Sequence, residues 1–95
     1  MFARVTTIEG SPERIGESIR LFQETVVPGA SKIKGFKGSY FMVDRKTGKQ
    51  MGVALWETEA DLNASAEAAS QLRAPFVQTP TQPAKVEIYE VAVQL

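Results

Sequence analysis

The sequence predicts an α+β fold, a ferredoxin-like βαββαβ chain with a four-stranded antiparallel sheet. Two amphipathic helical stretches separate four stretches rich in β-branched and aromatic residues, and a short glycine-containing loop joins the two middle strands. Because βαβ crossovers are right-handed, both helices should pack on one face of the sheet. The 95 residues are expected to form a single domain over 1–95.

The first strand is predicted at Phe2 to Ile8 (FARVTTI), where β-branched residues are frequent. The first helix is predicted to start at Ser11, since serine is a favoured N-cap and the proline after it suits the first helical position. The apolar residues of this helix recur at helical spacing: Ile15, Ile19, Phe22 and Val26. Pro28 and Gly29 are expected to end the helix.

The central hairpin is predicted from two strands, Gly35 to Asp44 and Gln50 to Glu57. The five residues between them include Gly48, which suits a positive-φ position of the loop. Pairing Asp44 with Gln50 sets the expected register, and it brings Lys37 opposite Glu57 as a favourable cross-strand pair. In this register one face carries Tyr40, Met42 and Trp56 opposite Ala54, Gly52 and Gly38.

The second helix is predicted to begin after Thr58, which resembles a capping-box residue together with Asp61. Its buried side is expected to consist of small and aliphatic residues: Leu62, Ala66, Ala69 and Leu72 or Arg73. Pro75 should stop it, and residues 75–83 are expected to form a proline-rich covering loop. The fourth strand is predicted at Lys85 to Val93.

Both faces of the central hairpin are apolar, and this predicts a homodimer through the sheet face. Two helices cover only one face, whereas a sheet with one wet face should alternate apolar and polar residues. An uncovered second face would exceed the roughly 300–600 Å² apolar patch of a typical monomer. A second copy related by a two-fold axis is the economical cover, although a proline-rich loop folded across the sheet is the alternative. The sequence leaves open which face lines a pocket and which forms the dimer.

Composition excludes several classes of function. The chain has no cysteine and no histidine, so disulfides, zinc–thiolate sites, histidine metal sites and Ser-His pairs are absent, and no metal site is predicted. Eleven basic and eleven acidic residues give zero net charge, which disfavours nucleic acid as a partner, even though residues 32–49 hold six basic residues against one acidic residue. No apolar run approaches the about 20 residues of a membrane helix and no signal peptide is visible, so the expectation is no membrane partner and a cytoplasmic location.

The chain resembles the antibiotic biosynthesis monooxygenase family. Its βαββαβ order, its length, Gly35-Phe36 at strand two, and Leu55-Trp56-Glu57-Thr58-Glu59 leading into a helix carry the resemblance. The resemblance implies the dimeric α+β barrel fold over nearly the whole chain. One branch of that family oxidises aromatic polyketides with molecular oxygen and no cofactor.

The resemblance carries over only part of the functional residues of that branch. The tryptophan of its W-E-[ST]-E motif corresponds to Trp56, but the asparagine position holds Gly52 and the tyrosine position holds Leu62. Another branch degrades haem with a tryptophan and a histidine on the segment after that motif and an asparagine on strand one. The tryptophan and histidine positions fall near Ser65 and Pro75. Strand one has no asparagine, and no histidine exists to bind iron, so haem degradation is not expected.

Three residues are the candidate catalytic residues. Trp56 is the only tryptophan and would form a pocket wall beside an aromatic substrate, or pack as a core residue over Gly38. Tyr40 offers a phenol for a substrate oxygen, although a buried tyrosine more often bonds to backbone; Tyr89 is a weaker candidate. Arg4 would bind a carboxylate or enolate oxygen, or pair with a glutamate at position 87 or 90 of the neighbouring strand. The candidate substrate-binding residues are Phe22, Gln23, Met42 and Phe76.

These residues lead to one hypothesis and its alternatives. The hypothesis is a cofactor-independent monooxygenase acting on a small aromatic or quinol-type substrate, with no cofactor of its own. The first alternative is a small-molecule-binding homodimer, a sensor or carrier without catalysis. The second alternative is a structural dimer with a filled interior.

Overall fold

A computed structural model describes residues 1–76 and 84–95 of the chain. The strands are β1 (Phe2–Glu9), β2 (Phe36–Val43), β3 (Lys49–Trp56) and β4 (Lys85–Glu90). They form one antiparallel sheet in the order β2-β3-β1-β4, which is the predicted ferredoxin-like arrangement. Strand β4 ends three residues earlier than expected, and the expected loop residues 77–83 lie outside the described part of the chain.

The first helical region runs further than predicted. A 3-10 turn (Pro12–Arg14) leads into α1 (Ile15–Leu21), a π-helical segment (Phe22–Val26) and α2 (Val27–Ser31). The expected end at Pro28 and Gly29 is therefore wrong. The π-helical segment ends at Val26, two residues before Pro28, and Pro28 lies in the first turn of α2.

The second helical region contains a break that the sequence did not predict. Thr58 caps it as expected, because its hydroxyl accepts a hydrogen bond of 3.0 Å from the backbone N–H of Asp61. The region then divides into α3 (Glu59–Ala64) and α4 (Ala66–Arg73), with the buried Ser65 between them. A 3-10 turn (Ala74–Phe76) follows α4, so the α-helix ends just before Pro75.

The register of the central hairpin differs by one residue from the predicted one. Gln50 pairs with Val43, not with Asp44. The reason lies in the loop, where the Asp44 carboxylate accepts backbone hydrogen bonds from Lys46 and Thr47 and closes a shorter turn. The backbone N–H of Asp44 then donates to the carbonyl of Lys49 at 2.8 Å, so Lys49 belongs to β3.

Gly48 closes this loop against the start of the first helical region. Its φ of +85° confirms the predicted positive-φ position. A Cβ at Gly48 would lie 2.5 Å from the backbone oxygen of Gly10, so no larger residue fits there. At the other end of the hairpin, an irregularity lies between Phe36 and Gly38, and Phe36 pairs with Trp56. Lys37 Nζ nevertheless lies 3.9 Å from Glu57 Oε2.

A shift of one residue moves β2 side chains to the opposite face of the sheet. Tyr40 and Met42 therefore do not share the face of Trp56, contrary to the prediction. Because directly paired residues share a face, the open face of the sheet, away from the helices, is formed by Tyr40, Met42, Met51, Val53, Leu55 and Tyr89. The other face packs against the helices and carries Arg4, Phe41, Gln50, Gly52, Ala54 and Trp56.

Both faces of the hairpin are thus apolar, as the sequence predicts, although Tyr40 and Met42 lie on the opposite face from the predicted one. On the open face, Tyr40 is 64% exposed, Tyr89 52% and Met42 46%. Within the described residues no helix covers that face, and no helix is long and apolar enough to cross a membrane.

Candidate functional site

A cavity of about 100 Å³ lies between the helix-side face of the sheet and the helices. Its wall is mainly apolar, with five aromatic side chains: Phe22, Phe36, Phe41, Phe76 and Trp56. Gly52 and Ala54 on β3 leave room above the sheet because neither carries a large side chain. Binding sites for small molecules combine such an apolar wall with a few placed polar groups, and this cavity has both.

Arg4 is the principal polar group of the cavity. It lies on β1, which is a central strand of the sheet, and it is only 5% exposed. Its Nη2 donates a hydrogen bond of 2.8 Å to the backbone oxygen of Leu62 on α3. The expected pairing with Glu87 or Glu90 does not occur among the described residues. The β4 residue opposite Arg4 is Ile88, whereas Glu87 lies opposite Val5 and Glu90 opposite Phe2.

The break between α3 and α4 presents the carbonyl that Arg4 uses. The Ser65 hydroxyl also donates to the backbone oxygen of Leu62, at 2.7 Å. Two side-chain donors therefore converge on one helix carbonyl, and side-chain bonds of this kind interrupt the regular ladder of a helix. The bond to the Leu62 carbonyl fixes the position of the guanidinium. Its other terminal nitrogen, Nη1, is buried and has no hydrogen-bond partner among the described residues.

Trp56 lies directly beside Arg4. The indole is 2% exposed, and Arg4 Cζ lies 5.9 Å from the centre of its ring, within the range of a cation–π interaction. Phe36 contacts the indole edge to face, at 5.5 Å between ring centres. The indole Nε1 is also buried, and no acceptor for it occurs in the described part of the chain. Two N–H donors without acceptors therefore occur in neighbouring side chains of one cavity.

The charge around these donors is positive. Burial lowers the pKa of the Arg4 guanidinium, and the positive charge of Arg73 lowers that pKa further. Arginine nevertheless stays protonated in proteins. Within the described residues, no aspartate or glutamate lines the cavity, whereas Arg73 does. An unpaired buried cation is costly, so an anionic oxygen of a ligand would be stabilised here.

Gln50 provides a polar group elsewhere in the same cavity. It is 3% exposed, and its Oε1 is a buried acceptor without a partner in the described structure. Gln50 lies four residues before Ala54, the residue paired with Arg4. Four strand residues span about 13 Å, so the acceptor and the two donors belong to opposite ends of the cavity wall.

Three phenylalanines join these ends. Phe22 stacks on Phe41 with ring centres 4.7 Å apart and an angle of 15° between the rings. Phe76 contacts both of them, at 6.5 Å from Phe22 and 6.0 Å from Phe41. Flat aromatic surfaces of this kind favour an aromatic ligand.

The structure assembles part of the candidate set that the sequence suggested. Arg4, Trp56, Phe22 and Phe76 line the cavity. Tyr40 and Met42 lie on the open face, for the register reason given above, and Gln23 is an exposed residue outside the cavity wall.

Sequence reasoning missed four polar residues of the cavity wall: Thr6, Ser39, Gln50 and Arg73. Gln50 has a recognisable signal, since it is the one amide on the helix-side face of β3. Arg73 was considered only as an alternative to Leu72 on the buried side of the helix. Tyr89, the weaker tyrosine candidate, lies on the open face, and its hydroxyl donates to Glu87, a bond that raises the pKa of the phenol.

No family model matches the chain. A curated relative, the uncharacterized protein Rv2558 of Mycobacterium tuberculosis strain H37Rv, is 30% identical over 93 residues. The match covers 98% of this chain but only 39% of that relative, so the chain spans about two fifths of its length.

Solved structures show the fold. The heme-degrader MhuD of Mycobacterium tuberculosis, with two hemes bound in its active site, superposes with a TM-score of 0.75 at 18% identity, covering 100% of this chain and 99% of its own. A monooxygenase from the gene ActVA-Orf6 of Streptomyces coelicolor, in complex with nanaomycin D, superposes with a TM-score of 0.73 at 18% identity, covering 99% of this chain and 89% of its own. An antibiotic biosynthesis monooxygenase gives 0.70 at 20% identity, with 98% and 100% covered.

The cavity does not fit haem. Protein ligands to haem iron are histidine, cysteine, methionine or tyrosine. The chain has no histidine or cysteine, and no methionine or tyrosine of the described residues lines the cavity. The arginine, indole and amide that do line it are not ligands for iron.

Proposed function

We propose that this chain, whose fold is that of the antibiotic biosynthesis monooxygenase-type proteins, is a cofactor-independent monooxygenase of a small aromatic or quinol-type substrate. One observation carries the proposal: Arg4 Nη1 and Trp56 Nε1 are buried donors in one apolar, aromatic cavity, and neither has an acceptor among the residues that the structure describes. Such donors are costly in a folded protein unless a bound molecule supplies the acceptor. A phenolate or enolate oxygen is an acceptor of the right charge.

The two donors would act on the substrate anion. Positive charge and N–H groups in a cavity with little water stabilise an enolate far better than water does. Negative charge then spreads to the ring carbon that reacts with oxygen. That carbanion gives electrons to O₂, a C–O bond forms, and the hydroperoxide loses water to leave a carbonyl. The balance is CH₂ + O₂ → C=O + H₂O, so no further reductant is required.

The substrate must be acidic in its own right. Within the described part of the chain, no carboxylate, lysine or tyrosine lines the cavity to serve as a general base. Ionisation would therefore depend on the positive charge of Arg4 and Arg73, which lowers the pKa of a bound phenol or enol. Anthrones and hydroquinones are suitable classes because their anions are delocalised.

The proposed active species is a homodimer through the open face. Tyr40, Met42 and Tyr89 expose large apolar surfaces there, and the described helices all lie on the other side of the sheet. A second copy would cover this surface with an identical one. The cavity would remain on the helix side, away from the contact.

A second candidate function is binding without catalysis, as in a sensor or carrier. The observation in its favour is the lack of a general base among the described cavity residues. In this case the same donors would hold an anionic aromatic molecule that leaves unchanged.

Oxygen consumption distinguishes the two functions. Purified protein would be mixed with an anthrone and a hydroquinone series under ¹⁸O₂, while an oxygen electrode and mass spectrometry follow uptake and product. We expect one O₂ consumed per carbonyl formed. Trp56→Phe should lower kcat/KM about 10-fold, because it removes one hydrogen bond to a charged oxygen.

The matched control is Tyr40→Phe, which removes a hydroxyl outside the cavity and should leave turnover unchanged. Ligand binding without oxygen uptake across the series would contradict the monooxygenase and favour the carrier. A loss of turnover in Tyr40→Phe equal to that in Trp56→Phe would contradict the assignment of the cavity as the site.

A further inference from the structure

Gln50 is a polar group of the cavity that the proposed chemistry does not use. Its Oε1 is buried and has no hydrogen-bond donor within residues 1–76 and 84–95, whereas the amide of an exposed glutamine would be hydrated. An unsatisfied buried acceptor is destabilising unless something donates to it. The amide therefore points to a hydrogen-bond donor supplied from within the cavity.

The side chain has a defined place. On β1, Gln50 is paired with Ile8, and both residues line the cavity. A Cβ on Gly10 would lie 2.9 Å from Gln50 Nε2, so the glycine makes room for the amide. The chain thus accommodates a polar group in a position where an aliphatic side chain would fill the space without an unpaired atom.

The two ends of the cavity differ in hydrogen-bonding character. Arg4 and Trp56 offer only N–H donors to a ligand, and Arg4 also carries a positive charge. Gln50 offers an acceptor about 13 Å away along the strand. The wall between them carries the stack of Phe22 on Phe41.

We propose that the cavity selects an aromatic molecule that is polar at both ends, with an ionised oxygen at Arg4 and Trp56 and a hydroxyl donor at Gln50. This inference rests on the proposed function, since it assumes that the cavity is the ligand site. It adds a specificity residue and an orientation: the hydroxyl end lies toward the Gly10 side, and the anionic end lies toward α3.

A matched set of naphthalenes tests this inference. The first probe is 6-hydroxy-2-naphthoate, which has a carboxylate at one end and a hydroxyl donor at the other. The second is 6-methoxy-2-naphthoate, which keeps the oxygen at position 6 but lacks its hydrogen-bond donor. The third is 2-naphthoate, which has no oxygen at position 6. Titration calorimetry would measure Kd for the wild type, Gln50→Met and Gln23→Met. Methionine has nearly the length of glutamine but no amide, and Gln23 is the exposed control.

The wild type and Gln23→Met should bind the hydroxy compound about 2- to 10-fold more tightly than 2-naphthoate, as one neutral hydrogen bond allows. Gln50→Met should bind 6-hydroxy-2-naphthoate and 2-naphthoate with the same Kd. If the wild type does not prefer the hydroxy compound, or if Gln50→Met keeps the preference, the inference is wrong while the anion site stands. If 2-naphthoate itself does not bind the wild type, the proposed function fails together with the inference. The comparison of probes on the wild type decides the matter even if Gln50→Met does not fold.

Discussion

Replacing Arg4 with methionine should weaken anion binding without destabilising the protein. The wild-type guanidinium gains one hydrogen bond to the Leu62 carbonyl, worth about 1.5–3 kcal/mol for a charged donor. It also leaves Nη1 buried without a partner among the described residues, at a cost of about 1–3 kcal/mol. These contributions offset each other, and the Leu62 carbonyl keeps its bond from Ser65 in the variant.

The desolvation of an unpaired charge then decides whether the free energy of unfolding rises or falls in the variant. Methionine fills similar space without a charge, and such replacements of buried ionic groups are often neutral or stabilising. We expect the free energy of unfolding to be unchanged or to rise by up to about 2 kcal/mol. Each kcal/mol corresponds to about 4–8 °C in Tm for a domain of this size.

Urea denaturation and calorimetric titration with 2-naphthoate measure the two effects separately. Loss of a charged hydrogen bond should weaken binding about 10- to 150-fold. Arg14→Met is the matched control, because the Arg14 side chain is 45% exposed and lies outside the cavity. A variant at Arg4 that lost more than about 2 kcal/mol of stability and still bound 2-naphthoate would refute the reasoning. Arg4 would then be a structural link between β1 and α3.

The remaining predictions concern the hairpin loop and the open face. Gly48→Ala should destabilise the protein by about 1–3 kcal/mol in urea denaturation, because φ at this position is +85° and the added Cβ would meet the Gly10 carbonyl. Equal stability of the variant and the wild type would contradict this loop geometry. Backbone N–H bonds from the loop lower the pKa of Asp44 below its unfolded value. The stability that this carboxylate contributes is therefore present above about pH 4 and lost as pH falls through the lowered pKa. Asp44→Asn should flatten the stability profile in that acidic range, and an unaltered profile would exclude the effect. Tyr40→Glu should convert the proposed dimer to a monomer, which light scattering would detect as a halved molecular mass. A wild type that is already monomeric at micromolar concentration would exclude the dimer.

The element types and the strand order follow from local sequence patterns. Apolar spacing at Ile15 and Ile19, the cap at Thr58 and the glycine at position 48 each correspond to a feature of the structure. These features depend on residues close together in sequence, and physical rules for helices, caps and turns apply directly to them.

The register and the partner of Arg4 depend on contacts that sequence patterns do not reveal. The Asp44 carboxylate shortens the loop by one residue, and both hairpin faces are apolar, so hydrophobicity alone favours neither register. The carbonyl of Leu62 becomes available to Arg4 where Ser65 interrupts the helix. A serine within a helical pattern does not reveal that break.

The one-residue shift of β2 also determines the chemistry that the cavity supports. In the predicted register, Tyr40 would bring a phenol to Trp56, and an acid–base role would be available. In the observed register, Phe41 takes that side of the sheet and the phenol of Tyr40 lies on the open face. The described cavity wall then combines positive charge with N–H donors and no base. Such a wall stabilises an anion but does not remove a proton, so turnover should follow the ionisation of the substrate. Across a series of phenols or anthrones, kcat/KM should rise as the substrate pKa falls, and a rate independent of substrate acidity would require a base from outside this wall.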